Sequence, residues 1–311
     1  MGAGLRVAFL GNAPWSVPPL EALADSSHEL VAVLTRVPRP APRGTALVPT
    51  PVAEAARRLG LPLHEVETVR SGPGLDLVRG SASDVLVVVA YGEILPPDVL
   101  RIPSLAPLNV HFSLLPELRG PAPVQRAILE GMVATGVTIM VMDEGVDTGP
   151  ILMRAEEGID PADDSGSLGA RLAALGGRLL VDSLDRLAAG GVRPRRQDDA
   201  RATYAPKLTS EERVIDWTER ASACVRRVRA LAPEPSATTR FRGSPLKVLS
   251  AIEREGGGDP GTIVHVSKDG FLIAAGDGSV APVEVAPAGR KRMVAGQFVN
   301  GFRPRVGERL G

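Results

Sequence analysis

The sequence predicts two folded parts in series: a doubly wound α/β domain on a mostly parallel sheet, then a small antiparallel barrel. Three observations carry this. Short apolar runs without alternation, such as residues 5–10 and 84–90, are interleaved with segments of helical spacing, the mark of strands buried on both faces of a sheet. From Thr238 onward the runs shorten and are divided by Gly-containing turns at 268–270 and 276–278, which suit hairpins. Between the two lies an Arg- and Asp-rich stretch, 191–201, that reads as a connector. The expected division is a domain over 1–190, a linker over 191–208 and a second domain over 209–311.

Taken in order, residues 5–10 read as a first strand, 16–25 as a helix with Leu20 and Leu23 on one face, and 30–34 as a second strand. Residues 84–90 (DVLVVVA), 108–112 and 138–142 read as further strands of the same sheet. A helix over 122–130 follows Gly120 and Pro121, and the Ala- and Leu-rich stretch 165–189 reads as one long helix closing the domain. In the second part, residues 215–231 offer a helix with Val225, Val228 and Leu231 along a face. Residues 246–252, 262–266 and 271–275 are the strands of the barrel, and no internal repeat is visible.

At 311 residues there is room for about two domains of roughly 100 to 200 residues each. The 44% apolar and 23% charged fractions exclude a disordered acidic or basic tail. The 34 Gly and 28 Pro have no G-X-Y period, so they punctuate turns and a collagen-like chain is excluded. No apolar run approaches the ~18 residues of a membrane span, and the first strand meets Gly11 and Asn12 before a signal core could form. A cytoplasmic protein without membrane attachment is expected. Cys224 stands alone, which excludes a disulfide and a Cys-based zinc site and makes it a small apolar residue of a helix face. The net charge of zero hides a division: residues 1–190 hold 15 Arg and no Lys against 22 Asp and Glu (−7), and 191–311 hold 21 Lys and Arg against 14 (+7). Such asymmetry suggests that the C-terminal part meets a polyanion.

Gly2 and Gly4 precede the first strand, whereas the glycines of a dinucleotide fingerprint must follow it, so LGNAP after residue 9 does not form one. The informative stretches are Asn109 to Gln125 (NVHFSLLPELRGPAPVQ) and Asp143 to Gly149 (DEGVDTG). In extended backbone Asn109, His111 and Ser113 project from one face and Val110, Phe112 and Leu114 from the other. Spacing alone leaves two readings open, a functional cluster or a polar strand end facing solvent. Position favours the first, since the residues end a predicted parallel strand, where open α/β sheets assemble sites. Asp147, just past the strand 138–142, is expected at the same end of the sheet.

These residues resemble the signature of the folate-dependent formyltransferases, N-x-H-x-S-L-L-P-x-x-R-G followed by D-x-G-x-D-T-G. The likeness runs over the whole chain: RPAPRG, VVVAYGEILP, GVTIMVMDEGVDTG, KLTSEE with IDW, and PLKV. It implies a Rossmann-like formyltransferase domain followed by an OB-like barrel. It further implies formyl transfer from 10-formyltetrahydrofolate to the amino group of initiator methionyl-tRNA, by a monomer that uses no metal. The family's catalytic Asn, His and Asp fall on Asn109, His111 and Asp147. Its folate-contacting segment falls on Ser113, Leu114, Leu115 and Pro116, and Val88, Val89, Ala90 and Tyr91 at a strand end are candidates for the pterin wall. Arg36, Arg39 and Arg43 lie in a Pro-rich loop of roughly fifteen residues, long enough to be functional, which resembles the family's tRNA-approaching insertion. Lys207 matches a lysine near the acceptor stem.

The chain departs from the family pattern in three places: Phe112 where small residues are common, Glu117 where a basic residue is frequent, and no Trp within 232–241. Two other readings are an enzyme formylating another amine, such as an amino sugar nucleotide, and a non-catalytic RNA-binding protein.

Overall fold

In the computed structural model, which describes residues 4–40 and 46–311, the apolar runs of the first part pair into one sheet. Its strands are β1 (Arg6–Gly11), β2 (Glu29–Arg36), β5 (Leu63–Val66), β6 (Val85–Val89), β7 (Ala106–His111), β8 (Ala134–Val141) and β9 (Ile151–Gly158). The short strands β3 (Arg39–Pro40) and β4 (Leu47–Val48) pair with each other only. The order across the main sheet is β5-β2-β1-β6-β7-β8-β9. The first five of these are parallel, with Val7, Ala8 and Phe9 of β1 in register with Val85, Leu86 and Val87 of β6.

The predicted strand over 138–142 forms as β8, but it runs antiparallel to β7 instead of continuing the parallel sheet. The short segment 142–150 explains the sense of β9, since a parallel return needs a crossover of a dozen or more residues. β9 is an edge strand, and beyond the buried Leu152 half-buried and exposed residues alternate along it, as on half-solvated antiparallel strands. Helix Ser165–Ala188 covers one face of the sheet, where a Cβ on Gly176 would stand 2.9 Å from Val110 Cγ1 and 3.6 Å from the Phe112 ring. On the other face Ala8, Leu10, Ala32, Leu34, Leu86 and Val88 form a core with Val78 of helix Gly72–Gly80. Val88 and Asn109 are register partners, so Asn109 belongs to this second face, away from the long helix.

Contacts divide the chain into two compact units, the first holding residues through Gly120, Ala134–Gly158 and Gly169–Ala205, and the second Pro121–Val133, Ile159–Leu168 and Pro206–Gly311. In the second unit β10 (Ala237–Phe241), β11 (Ser244–Arg254), β12 (Ile263–Ser267), β13 (Gly270–Ala274) and β14 (Ser279–Pro287) form an antiparallel sheet ordered β10-β11-β14-β13-β12, with β15 (Met293–Val294) on β14. Its two edges are joined by residues 307–311. Ile263 N–H donates to Glu308 O at 2.8 Å on the β12 side, and Gly311 N–H donates to Arg240 O at 3.1 Å on the β10 side. That closure covers part of each edge against pairing with another chain. Phe298 of helix Ala295–Phe302 plugs the interior, 5.3 Å from the rings of both Phe241 and Phe271.

The helix expected over 215–231 starts only at Ala221. Ile215 is instead extended against β10, donating to Thr238 O at 2.9 Å, and the Asp216 carboxylate turns the chain by accepting the Thr218 N–H at 2.9 Å. Cys224 on that helix is fully buried, and burial first, then the nearby Glu219 charge, push its thiol up to about 12, as befits a packing residue.

His28 gives a test of the first core. Its Nδ1 accepts the Leu5 N–H at 3.1 Å, so the neutral ring carries its proton on Nε2, 3.4 Å from Asp185. Burial holds His28 below its ordinary value of 6.5, against a smaller opposing pull from Asp185. The unfolded chain therefore binds this proton first as pH falls. Stability present above pH 6.5 is lost as pH drops toward the folded-state value. Urea unfolding at a series of pH values should show this decline, and His28→Gln should flatten it.

Candidate active site

β7 ends in Asn109, Val110 and His111, and the alternation of a strand sends Val110 to the helix-covered face and its two neighbours to the other. Asp147 reaches them by an unexpected path. Because β8 is antiparallel, it ends beside the start of β7, with Val141 opposite Leu108 and Met142 N–H donating to Pro107 O at 2.8 Å. Asp147 was expected just past this strand at the same end of the sheet, yet the strand itself ends at the opposite end. Residues 142–150 double back, and Gly149 makes that possible: a Cβ there would stand 1.8 Å from Val141 O. Asp147 itself has φ 55°, a left-handed conformation that Asp tolerates better than most side chains.

The three side chains converge. Asn109 Nδ2 donates to Asp147 Oδ1 at 3.3 Å, His111 Nδ1 lies 3.6 Å from Asp147 Oδ2, and Gly120 N–H donates to the same Oδ2 at 2.8 Å. Gly120 has φ 111°, and a side chain there would strike the Tyr204 ring and Ala205 O within 3 Å, so only glycine brings this N–H to the carboxylate. His111 is 6% exposed, and its Nε2 lies 2.9 Å from Leu118 O. A carbonyl oxygen has no hydrogen, so Nε2 is the donor and Nδ1 is left facing the carboxylate. The ring thus stands between two acceptors. At 3.6 Å the Nδ1 contact is longer than a hydrogen bond, which leaves that position able to serve a reacting oxygen.

The other sequence-derived positions scatter in character. Ser113 is buried with its hydroxyl donating to Glu117 O at 2.6 Å, and Leu115 is buried with its N–H on Thr138 Oγ1 at 3.1 Å. Pro116 O accepts the Thr203 N–H at 3.3 Å, and Leu114 is half-buried. Val89 and Leu115 are at 0% exposure, and their main chain is engaged by Ser16 Oγ on Val89 O and by Thr138 Oγ1 and Arg154 Nη1 on Leu115, so neither presents a surface to a ligand. Ala90 is exposed, with φ 43°. The Tyr91 hydroxyl is buried without a hydrogen-bond partner among the described residues, and burial, reinforced by Glu93, pushes its ionisation up. Arg36 is not a free cation: its Nη2 pairs with Glu93 Oε1 at 3.0 Å, and Thr68 Oγ1 donates to the other oxygen at 3.0 Å. Arg39 is exposed on β3, Arg43 lies outside the described residues, and Lys207 is exposed in the second unit.

Two departures from the family pattern have structural answers. Phe112 packs edge-on against Trp15, centroids 5.9 Å apart, and Glu117 pairs with Arg201 at 3.4 Å. Sequence reading missed Gly120 as a donor and missed Gln197, whose Nε2 donates to Asp147 O at 2.8 Å and to Gly149 O at 2.7 Å. The glycine lay in plain sight in the motif, whereas Gln197 carries no sequence signal, being fifty residues away in a stretch read as linker. Among the described residues, no group of three or more His, Cys, Asp or Glu side chains is placed to hold a metal ion.

Comparison with known proteins identifies the family of the chain. The formyl transferase family profile matches residues 5–184, and the formyl transferase C-terminal domain profile matches residues 207–303. A methionyl-tRNA formyltransferase from Magnetococcus marinus is 42% identical over 306 residues, 98% of each chain. One from Roseiflexus sp. is 44% identical over 311 residues, 99% of this chain and 95% of that protein. Among solved structures, HypX from Aquifex aeolicus shares the fold at TM-score 0.70 and 18% identity, over 98% of this chain and 50% of HypX. The N-formyltransferase from Helicobacter canadensis, in complex with folinic acid and dTDP-3-aminofucose, does so at TM-score 0.66 and 16% identity, over 89% of this chain and 98% of that one. Matched in order by both profiles and by these relatives from end to end, the chain belongs to the formyl transferase family.

Proposed function

We propose that this chain transfers the formyl group of 10-formyltetrahydrofolate to the free amino group of initiator methionyl-tRNA, giving N-formylmethionyl-tRNA. The observation that carries the reading is the meeting of Asn109, His111 and Asp147 around one point, in a chain whose full-length relatives bear the name of that activity. The amine forms a new C–N bond to the formyl carbon, the bond from that carbon to the folate N10 breaks, and one proton passes from the amine to N10. Negative charge gathers on the formyl oxygen on the way. Asn109 has a second amide hydrogen beyond the one facing Asp147, and an imidazolium at His111 would carry an Nδ1 hydrogen besides the one on Nε2, so two donors can meet that oxygen. Asp147 balances the imidazolium and orients the proton carrier between the two nitrogens. The amine must be neutral to attack, and an α-amino group with an ordinary value of about 7.7 to 8.0 is partly so near neutral pH.

The basic second half of the chain supports a tRNA substrate, because a net of +7 over 191–311 attracts phosphates without reading sequence. No helix among the described residues is long and apolar enough to cross a membrane.

Single-turnover assays with 10-formyltetrahydrofolate and charged initiator tRNA test the chemistry. Asn109→Ala and His111→Ala should each slow transfer by about 10²- to 10³-fold, the usual loss for one oxyanion donor, with the thermal midpoint unchanged. Transfer at the parent rate by either variant would remove the mechanism. In the same assay KM for charged tRNA should climb steeply as salt is raised while KM for the folate stays flat. A charged elongator tRNA and a dTDP-amino sugar, tried in place of the initiator, should be poor acceptors; preference for the sugar would reassign the substrate.

A further inference from the structure

We infer that Gln197 is a positioning residue for Asp147, which makes the stretch after the long helix part of the catalytic machinery; the inference rests on the reaction proposed above. A primary amide offers two hydrogens and two lone-pair directions, and Gln197 uses all four. Its Nε2 donates to Asp147 O at 2.8 Å and to Gly149 O at 2.7 Å, spanning the turn around Thr148. Its Oε1 accepts from Arg119 Nε at 3.0 Å and Nη2 at 2.8 Å. The guanidinium has only donors, so it fixes which end of the amide faces it, and the NH₂ end must face the loop.

The same stretch also holds the other side of the site. Leu118 N–H donates to Thr203 Oγ1 at 2.8 Å, Arg119 N–H to Thr203 O at 2.9 Å, and Ala205 N–H to Arg119 O at 2.6 Å. Leu118 supplies the carbonyl that fixes the His111 tautomer, and Gly120 supplies the N–H that fixes the Asp147 carboxylate. Residues 197–205 therefore tie the backbone on both sides of the His111–Asp147 contact. Within its own loop the Asp147 turn has two exposed local bonds, Gly145 N–H to Asp143 Oδ1 at 3.0 Å and Thr148 Oγ1 to the same oxygen at 2.7 Å, and Val141 N–H to Pro150 O at 2.9 Å closes the base of the reversal. Among the described residues the Asp147 and Gly149 carbonyls accept from Gln197 alone, and a shift of about 1 Å in a reacting group can cost about 10²-fold in rate.

The test compares Gln197→Ala and Gln197→Glu with the parent full-length protein. The glutamate variant keeps the side-chain size and the acceptor toward Arg119 but removes both donors, so it separates the clamp from packing. Both should lower kcat at least tenfold with charged initiator tRNA. KM for 10-formyltetrahydrofolate, equilibrium binding of tetrahydrofolate and the thermal midpoint should stay as in the parent. Amide exchange at Gly120, followed by NMR, should speed up at least tenfold in both, because its acceptor is no longer held. A kcat within twofold of the parent, an unchanged Gly120 exchange rate, or loss of tetrahydrofolate binding together with turnover would each overturn the assignment. Turnover of the parent reads the reaction itself, so its absence counts against the function, while Gly120 exchange still decides the clamp.

Discussion

A carboxylate that must sit beside two side chains of a neighbouring strand has to be carried there by backbone, and here the carrier is the reversal of residues 142–150 over the sheet. The antiparallel β8 delivers the chain to the wrong end of β7, next to Leu108 and Pro107, and the loop undoes this by turning back on itself. Every feature around the site follows from that reversal. Gly149 is needed because its Cβ position is taken by Val141 O, and Asp147 is held left-handed at a cost of about 1 kcal/mol or more. A strained loop of this kind persists only where its surroundings over-determine it. The Gly120 N–H on the carboxylate and the Gln197 amide on the loop carbonyls supply that determination.

The buried pattern of the first unit was legible because strands covered on both faces admit little but apolar residues. Residues 84–90 and 108–112 emerge as β6 and β7 within a residue or two at each end. Strand sense was not legible, since an apolar run such as 138–142 looks the same in either direction, and only the short segment 142–150 hints that β9 returns antiparallel. The helix over 215–231 was read too long: Val225, Val228 and Leu231 do lie on it, while Ile215 answers to a partner in β10 that is distant in sequence. At the candidate site, alternation placed Asn109 and His111 on one face correctly. Asp147 was expected near them from its place just past a strand end, but it arrives by a reversal of the loop that the strand pattern does not show. Gly120 and Gln197 act through a main-chain N–H and a long-range amide, neither of which leaves a pattern along the chain.

The site and its surroundings also differ in how their polar groups are used. Around Asp147 the Gly120 N–H and both Gln197 amide hydrogens have defined acceptors, whereas the Tyr91 hydroxyl near Glu93 in sequence is buried with none among the described residues. Asn12 joins the two strand ends by donating to Tyr91 O and accepting from Thr35 Oγ1 and the Arg36 N–H, both at 2.9 Å. The carboxyl end of the sheet is thus knitted by side chains where the ladder stops, which keeps β1, β2 and β6 aligned beneath the loops they support.

The Arg36–Glu93 pair bears on how charge along that edge should be counted. A guanidinium already matched to a carboxylate and shielded from solvent carries no condensed mobile anion to give up, so a nucleic-acid phosphate arriving there would exchange one fixed partner for another. Glu93, left with Thr68 alone, would then oppose the newcomer. Tallying arginines from 36 onward therefore overstates the small ions released on contact, and the entropy of that release must come from side chains that face water unaccompanied.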